Sequence, residues 1–161
     1  MNSQSILFQS DKFTLKLSHL VIISVLVLAF STSMLIRSQP MEYGFQLNEF
    51  DPFFNFRATE YMVENGFSEY FEWHDNKSWY PHGRNISGTS QVILHSTAAV
   101  TYQIFGGSLS LHDYTILFPA VVGSLTVIVI FGLVRLFGGT SAGLIASLLF
   151  AISLPVIIRG S

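Results

Sequence analysis

Glu49 and Asp51 are two carboxylates two positions apart, and they offer hard oxygen ligands to a magnesium- or manganese-type cation. Such a cation can neutralise and grip a phosphate-bearing substrate. Two carboxylates do not complete a coordination sphere, so the remaining ligands have to come from elsewhere. Asp51 also has a simpler reading. It precedes Pro52, and Asp before Pro marks the start of a helix, where the carboxylate accepts free backbone amides and Pro fixes the first helical residue. Spacing alone leaves cap and ligand both open.

The residues after Asp51 predict the helix that would carry it. Phe54, Ala58, Tyr61 and Met62 form an apolar stripe at helical spacing, Glu60 and Glu64 lie off it, and Gly66 is a suitable stop. Further on, Trp73-His74-Asp75 and Trp79-Tyr80-Pro81-His82-Gly83-Arg84 crowd aromatic and charged groups together. Trp and Tyr favour a membrane interface, and Pro81 with Gly83 makes a turn. His74, His82 and Asp75 have no zinc-site spacing. Arg57 and Arg84 are assigned no catalytic role, since an arginine in such a loop can equally pair with Glu60 or Glu72. His95 reads as a hydrogen-bonded helix residue, and His19 as interfacial.

The elements that must position these groups are greasy ones. Half of the 161 residues are hydrophobic and 11% are charged, with a mean hydropathy of +0.48, which points to lipid as solvent. A net charge of -2 gives no basic field for nucleic acid. The absence of cysteine excludes disulfides and thiolate chemistry. Three windows without formal charge, Leu17 to Ile36, Tyr114 to Val134 and Leu136 to Ile158, match the roughly 20 residues needed to cross hydrocarbon.

These windows predict an all-α polytopic membrane protein with helices at 17–37, 114–134 and 136–158. An N-terminal segment, 1–16, precedes them, and a long helical external loop occupies 38–113. Arg135 and the turn around Gly138 and Gly139 make the last two helices an antiparallel hairpin, and Pro155 is expected to kink the third. The first window could also be a signal peptide, but its apolar run resumes through Met34, Leu35 and Ile36 to spanning length. The window Gln91 to Leu111 has a convincing apolar part of only about 15 residues, which fits an interfacial or protein-buried helix better than a span.

Lys12, Lys16 and Arg135 place the N-terminus and the hairpin tip in the cytoplasm by the positive-inside tendency. Eight of the ten acids lie between Glu42 and Asp75, so that stretch is aqueous and faces outside. Asn76-Lys77-Ser78 and Asn85-Ile86-Ser87 are glycosylation sequons in it, of a kind that also arises by chance.

The order Glu49-Phe50-Asp51-Pro52-Phe53-Phe54-Asn55-Phe56-Arg57, then Trp79-Tyr80-Pro81-His82-Gly83-Arg84, resembles the first external loop of the oligosaccharyltransferase catalytic subunit of archaea and eukaryotes. That loop reads as an acidic motif, D-P-W-F-N-Y-R, and later W-Y-P-x-G-R. The likeness runs from the first span to the last residue, through Gly88-Thr89 and the glycines from Gly138 to Gly143.

The resemblance implies transfer of an oligosaccharide from a dolichyl phosphate or diphosphate carrier to asparagine in Asn-x-Ser/Thr, with Mn2+ or Mg2+ as cofactor. Asp51 is similar to the family's first metal-binding aspartate, and Glu49 matches the other acid of that motif. Arg159 is similar in position to an arginine needed for activity. The implied partners are a lipid-linked oligosaccharide, an acceptor polypeptide, membrane lipid and further subunits, in an archaeal cell membrane or the endoplasmic reticulum membrane.

The chain departs from the family pattern in lacking a second acidic motif and the C-terminal globular domain with its W-W-D-Y-G motif. It is therefore expected to be the N-terminal part of the enzyme, inactive alone. Two other classes fit the same residues: a lipid-phosphate-dependent protein mannosyltransferase, and a non-catalytic membrane subunit.

Overall fold

The computed structural model describes residues 6–10, 13–47 and 50–153, and these are mostly helical. They fall into two compact units, one made by the chain up to Tyr43 together with residues from Pro119 onward, the other by Gly44–Phe118.

The first unit opens on a feature absent from the sequence expectation, an antiparallel hairpin of β1 (Ile6–Ser10) and β2 (Phe13–Lys16). Helix α1 (Leu17–Ser38) follows directly and covers the first expected span. At its start the Lys16 amide donates to His19 Nδ1 at 3.4 Å, which gives His19 a place at the helix end. At its finish the chain tightens into a 3-10 turn, Gln39–Tyr43, in which Pro40 cannot continue an α-helix.

Element α6 (Leu111–Ala151) is two helical arms that abut at Gly139, whose φ of 78° and ψ of 178° lie outside the helical region. Only glycine takes that conformation without strain. The arm beyond Gly139 folds back on the arm before it. A Cβ at Gly143 would come within 2.9 Å of the Phe131 carbonyl oxygen, and Val127 shares a buried cluster with Ala151 and Ala29. In a straight helix Val127 and Ala151 would be about 36 Å apart. The expected hairpin is thus present with its tip where Gly138 and Gly139 put it. Pro155 and the end of the third window lie outside the described residues.

Most residues buried in this unit are small: Ala29, Ser33, Ala120, Ser124, Gly143, Ser147 and Ala151, joined by Val127, Phe131 and the charged Arg37. The large apolar side chains point outward, among them Leu35 at 69% exposure, Leu136 at 80% and Phe137 at 86%. A water-soluble helical bundle has the reverse distribution, whereas close helix contact through small residues is how helices associate in lipid.

The second unit is built on α2 (Phe50–Asn65), α3 (Phe67–Glu72), α4 (Ile86–Thr89) and α5 (Val92–Phe105). Helix α5 is 14 residues long, short of a span, as the Gln91 to Leu111 window implies. The predicted stripe on α2 is the one that packs. Ala58 and Met62 are buried with Tyr70, Ile86 and Ala99, and Phe54 lies against them. Tyr61 stacks on Trp73 with ring centroids 4.3 Å apart. Gly66 ends α2 with a φ of 93° and donates its amide to the Met62 carbonyl.

Between α3 and α4 a two-stranded ribbon, β3 (His74–Asp75) and β4 (Arg84–Asn85), pairs His74 with Asn85 and Asp75 with Arg84. Its loop holds a cis Tyr80–Pro81 bond. Gly83 is confined to glycine by φ of 74° and because a Cβ there would run into the His74 imidazole.

Candidate functional site

Asp51 stands in the first turn of α2 and is exposed. The helix begins at Phe50, so Asp51 lies inside the first turn rather than in the capping position expected from Asp51-Pro52. Its side chain makes no hydrogen bond among the described residues. A carboxylate in that turn still gains from the positive end of the helix. Glu49 and Arg159 lie outside the described residues, so the structure brings neither beside Asp51. Among the described residues no three His, Asp or Glu side chains are grouped to hold a metal ion. Asp51 by itself supplies one carboxylate and does not make a cation site.

One turn after Asp51, Asn55 fixes the rotation of α2. Its side-chain carbonyl oxygen accepts from His95 Nε2 at 3.0 Å, which sets the tautomer and leaves His95 Nδ1 to accept from the Tyr70 hydroxyl at 2.5 Å. The Tyr70 oxygen lies 2.7 Å from Ser90 Oγ, which donates to the Ile86 carbonyl. His95 is fully buried, and Phe54 meets its ring edge-on at 5.6 Å. The expectation of a hydrogen-bonded helix histidine therefore holds, with partners from α2 and α3.

Burial, and second the charge of Arg84, push the His95 pKa down to about 4. Burial likewise raises the Tyr70 phenol. The relay is thus neutral near pH 7. Because the unfolded histidine binds a proton near its model value of 6.5 and the folded one does not, stability is full above 6.5 and falls as pH drops towards 4. The expected loss is about 3 kcal/mol over that window. Thermal unfolding from pH 7 to 4 reads it, and His95→Phe should flatten the profile there.

The two motif arginines have structural partners, as the sequence reading allowed, but other groups than Glu60 or Glu72. Arg57 pairs with Asp75, not with Glu60 or Glu72: Nη2 donates to Oδ1 at 2.7 Å and Nη1 to Oδ2 at 3.1 Å. Arg84 donates to the Thr89 hydroxyl at 2.9 Å and to the Thr89 carbonyl, and its guanidinium lies over the rings of Phe54 and Trp79. Each arginine thus ties the ribbon region to a neighbouring helix.

His74, His82 and Asp75 do not converge on a metal. His74 Nε2 faces the His82 carbonyl at 3.0 Å, while Asp75 is engaged with Arg57, Ser78 and the Lys77 amide. Asn76 and Asn85 are both exposed, and the Ser87 hydroxyl donates to Asn85 Oδ1 at 2.9 Å. The Asn55–His95–Tyr70 relay is what sequence reasoning missed. Its only trace there is an asparagine and a histidine set among apolar residues.

The sequence profile of the family described as oligosaccharyl transferase STT3, N-terminal, matches residues 17–158. The chain is 33% identical over 157 residues to the dolichyl-diphosphooligosaccharide–protein glycosyltransferase subunit STT3B of Arabidopsis thaliana, covering 94% of this chain and 21% of the relative. It is 31% identical over 145 residues to the corresponding STT3 subunit of Dictyostelium discoideum, covering 88% and 20%. With that of Saccharomyces cerevisiae it shares 33% over 110 residues, covering 66% and 15%. The chain spans about a fifth of the length of the first two of these relatives.

Proposed function

The chain belongs to the STT3 oligosaccharyl transferase family, and from that premise we propose that the full-length protein transfers an oligosaccharide from a dolichyl phosphate or diphosphate carrier to asparagine in Asn-x-Ser/Thr. The observation that carries this reading is the position of Asp51, exposed and without a side-chain hydrogen bond among the described residues, at the start of a helix whose rotation a buried relay fixes, inside a segment the family matches. A carboxylate held this way is free to meet a ligand from solution.

In this reading Asp51 and Glu49 each give a carboxylate to a Mn2+ or Mg2+ site completed by residues outside those described. When bound, the cation would supply charge neutralisation at the phosphate of the donor. Arg159 is assigned to the same phosphate as a fixed cation. What the described residues do is hold and orient. Asn55 and His95 set which way the first turn of α2 faces, and Arg57 with Asp75 keeps the ribbon region in register with α2.

Helix α1 and the two arms of α6 are read as three membrane crossings. By length and composition α1 and α6 are apolar enough to cross, and the outward-facing Leu, Val and Phe side chains with a small-residue interior support the same reading. The positive-inside tendency of the charges around α1 and the arms of α6 supports a reading in which the acid-rich stretch is outside or in the lumen and would meet lipid-linked donor, acceptor polypeptide and further subunits.

The test is transfer by the full-length protein, in membranes, from a dolichyl-linked glycan to an Asn-x-Thr peptide. An asparagine-linked product is expected. A product linked through serine or threonine oxygen overturns the reading in favour of a protein mannosyltransferase, and no product from an expressed, folded protein overturns it in favour of a non-catalytic subunit.

A further inference from the structure

Arg37 is the last cation of α1 and is 1% exposed, and none of its three side-chain nitrogens has a hydrogen-bond partner among the described residues. A guanidinium cannot shed its charge, and leaving it buried and unpaired is strongly unfavourable. Its neighbour on α6 makes room for it: a Cβ at Gly123 would lie 2.7 Å from Arg37 Nε and 3.4 Å from Cζ. One helical turn earlier on the same face, the Ser33 hydroxyl is also fully buried and unpartnered. Two orphaned donors thus lie along one seam between α1 and α6. Among the described residues of this unit the only acid is Glu42, which is exposed and does not reach Arg37.

We propose that Arg37, seated against Gly123, binds a phosphate group through a two-pronged guanidinium grip. A planar fork of N–H donors is matched to the oxygens of an oxyanion. A phosphate is the oxyanion to be met at the end of a 22-residue apolar helix, where lipid headgroups lie if α1 crosses a bilayer. An ionisable side chain turned into the helix seam, rather than out to lipid, marks a binding function in such a setting. The inference rests on the membrane reading of α1, not on glycan transfer, and Asp51 has no part in it.

The experiment uses the full-length protein, first shown to resist alkaline extraction from membranes, so that failure of the membrane reading is seen separately. After delipidation in detergent, its thermal unfolding midpoint is followed with phosphatidylglycerol, with diacylglycerol of the same chains, and with inorganic phosphate. Phosphatidylglycerol should raise the midpoint and diacylglycerol should not. A rise with inorganic phosphate as well assigns the site to free anions, and a rise with the lipid alone assigns it to a headgroup.

Arg37→Met should abolish the phosphate-dependent rise, yet be at least as stable as wild type when no phosphate is present, because it removes an unpaired buried charge. Gly123→Ala keeps the charge but pushes the guanidinium aside, and should weaken apparent affinity at least tenfold. Arg37→Lys loses the fork and should weaken it similarly. The proposal is overturned if wild type responds to no phosphate probe, or if Arg37→Met responds as wild type does. It is equally overturned if Arg37→Met is destabilised to the same extent with and without phosphate, since the partner is then a carboxylate of the protein.

Discussion

Asp51→Asn in the full-length protein is expected to lower glycan transfer by about 10²-fold or more and to leave the fold almost untouched. The size follows from losing a carboxylate that helps hold a phosphate-neutralising charge: several kcal/mol of stabilisation is at stake, and each 1.36 kcal/mol is about tenfold in rate. The selectivity follows from the structure. Asp51 is exposed and its side chain makes no hydrogen bond among the described residues, so its removal forfeits only a helix-end charge effect of about 0.3–1 kcal/mol.

Asp51→Ala separates this from a capping role. Asparagine caps a helix about as well as aspartate, while alanine costs about 1 kcal/mol at a cap. If Asp51 only started the helix, Asp51→Asn would be silent and Asp51→Ala would lose stability, with transfer retained in both. The proposed role predicts that both lose transfer and neither loses much stability. Rates with Mn2+ and with Mg2+, set beside unfolding curves, distinguish the two.

Asp75→Ala is expected to be the most destabilising substitution in the second unit, by about 3–5 kcal/mol, the usual result of removing one member of a buried ion pair. Asp75 is 2% exposed on its side chain, and Arg57 31%. Loss of the carboxylate strands the Arg57 fork and also releases the Ser78 hydroxyl and the Lys77 amide. Out of a total stability of about 5–15 kcal/mol, that is a large share. Arg57→Ala should cost a comparable amount by leaving the buried carboxylate short of its strongest partner. The double variant should cost less than the sum of the two, which denaturant unfolding of all four proteins would measure. Additive losses would mean that the pair contributes no coupling.

The same carboxylate adds a second acid-sensitive step. Burial by itself pushes the Asp75 carboxyl upward, but the Arg57 guanidinium, the Ser78 hydroxyl and the Lys77 amide outweigh it and hold it below the usual 3.8. A carboxyl with a depressed folded pKa stabilises fully above its unfolded value, and that contribution is lost as pH falls below it. Stability should therefore drop first between 6.5 and 4 through His95, and again below 3.8 through Asp75. Asp75→Asn should remove the second drop and spare the first.

Sequence by itself determined the long helices and some of their ends, but not α3, α4 or the two ribbons. Charge-free windows, the stripe of Phe54, Ala58, Tyr61 and Met62, and the glycines at 66 and 139 act over a few residues, and local propensity and periodicity register such signals directly. The ordered motifs from Glu49 to Arg57 and from Trp79 to Arg84 also carried the family. The tertiary structure alone decided the partners. Asn55 meets His95 across 40 residues and Tyr70 meets it across 25, while Arg57 reaches Asp75 across 18 in preference to nearer acids. It alone also turned Arg37 into the seam beside Gly123. Pairings over such separations are set by how whole helices dock and by which polar groups burial forces together, and no local pattern encodes that.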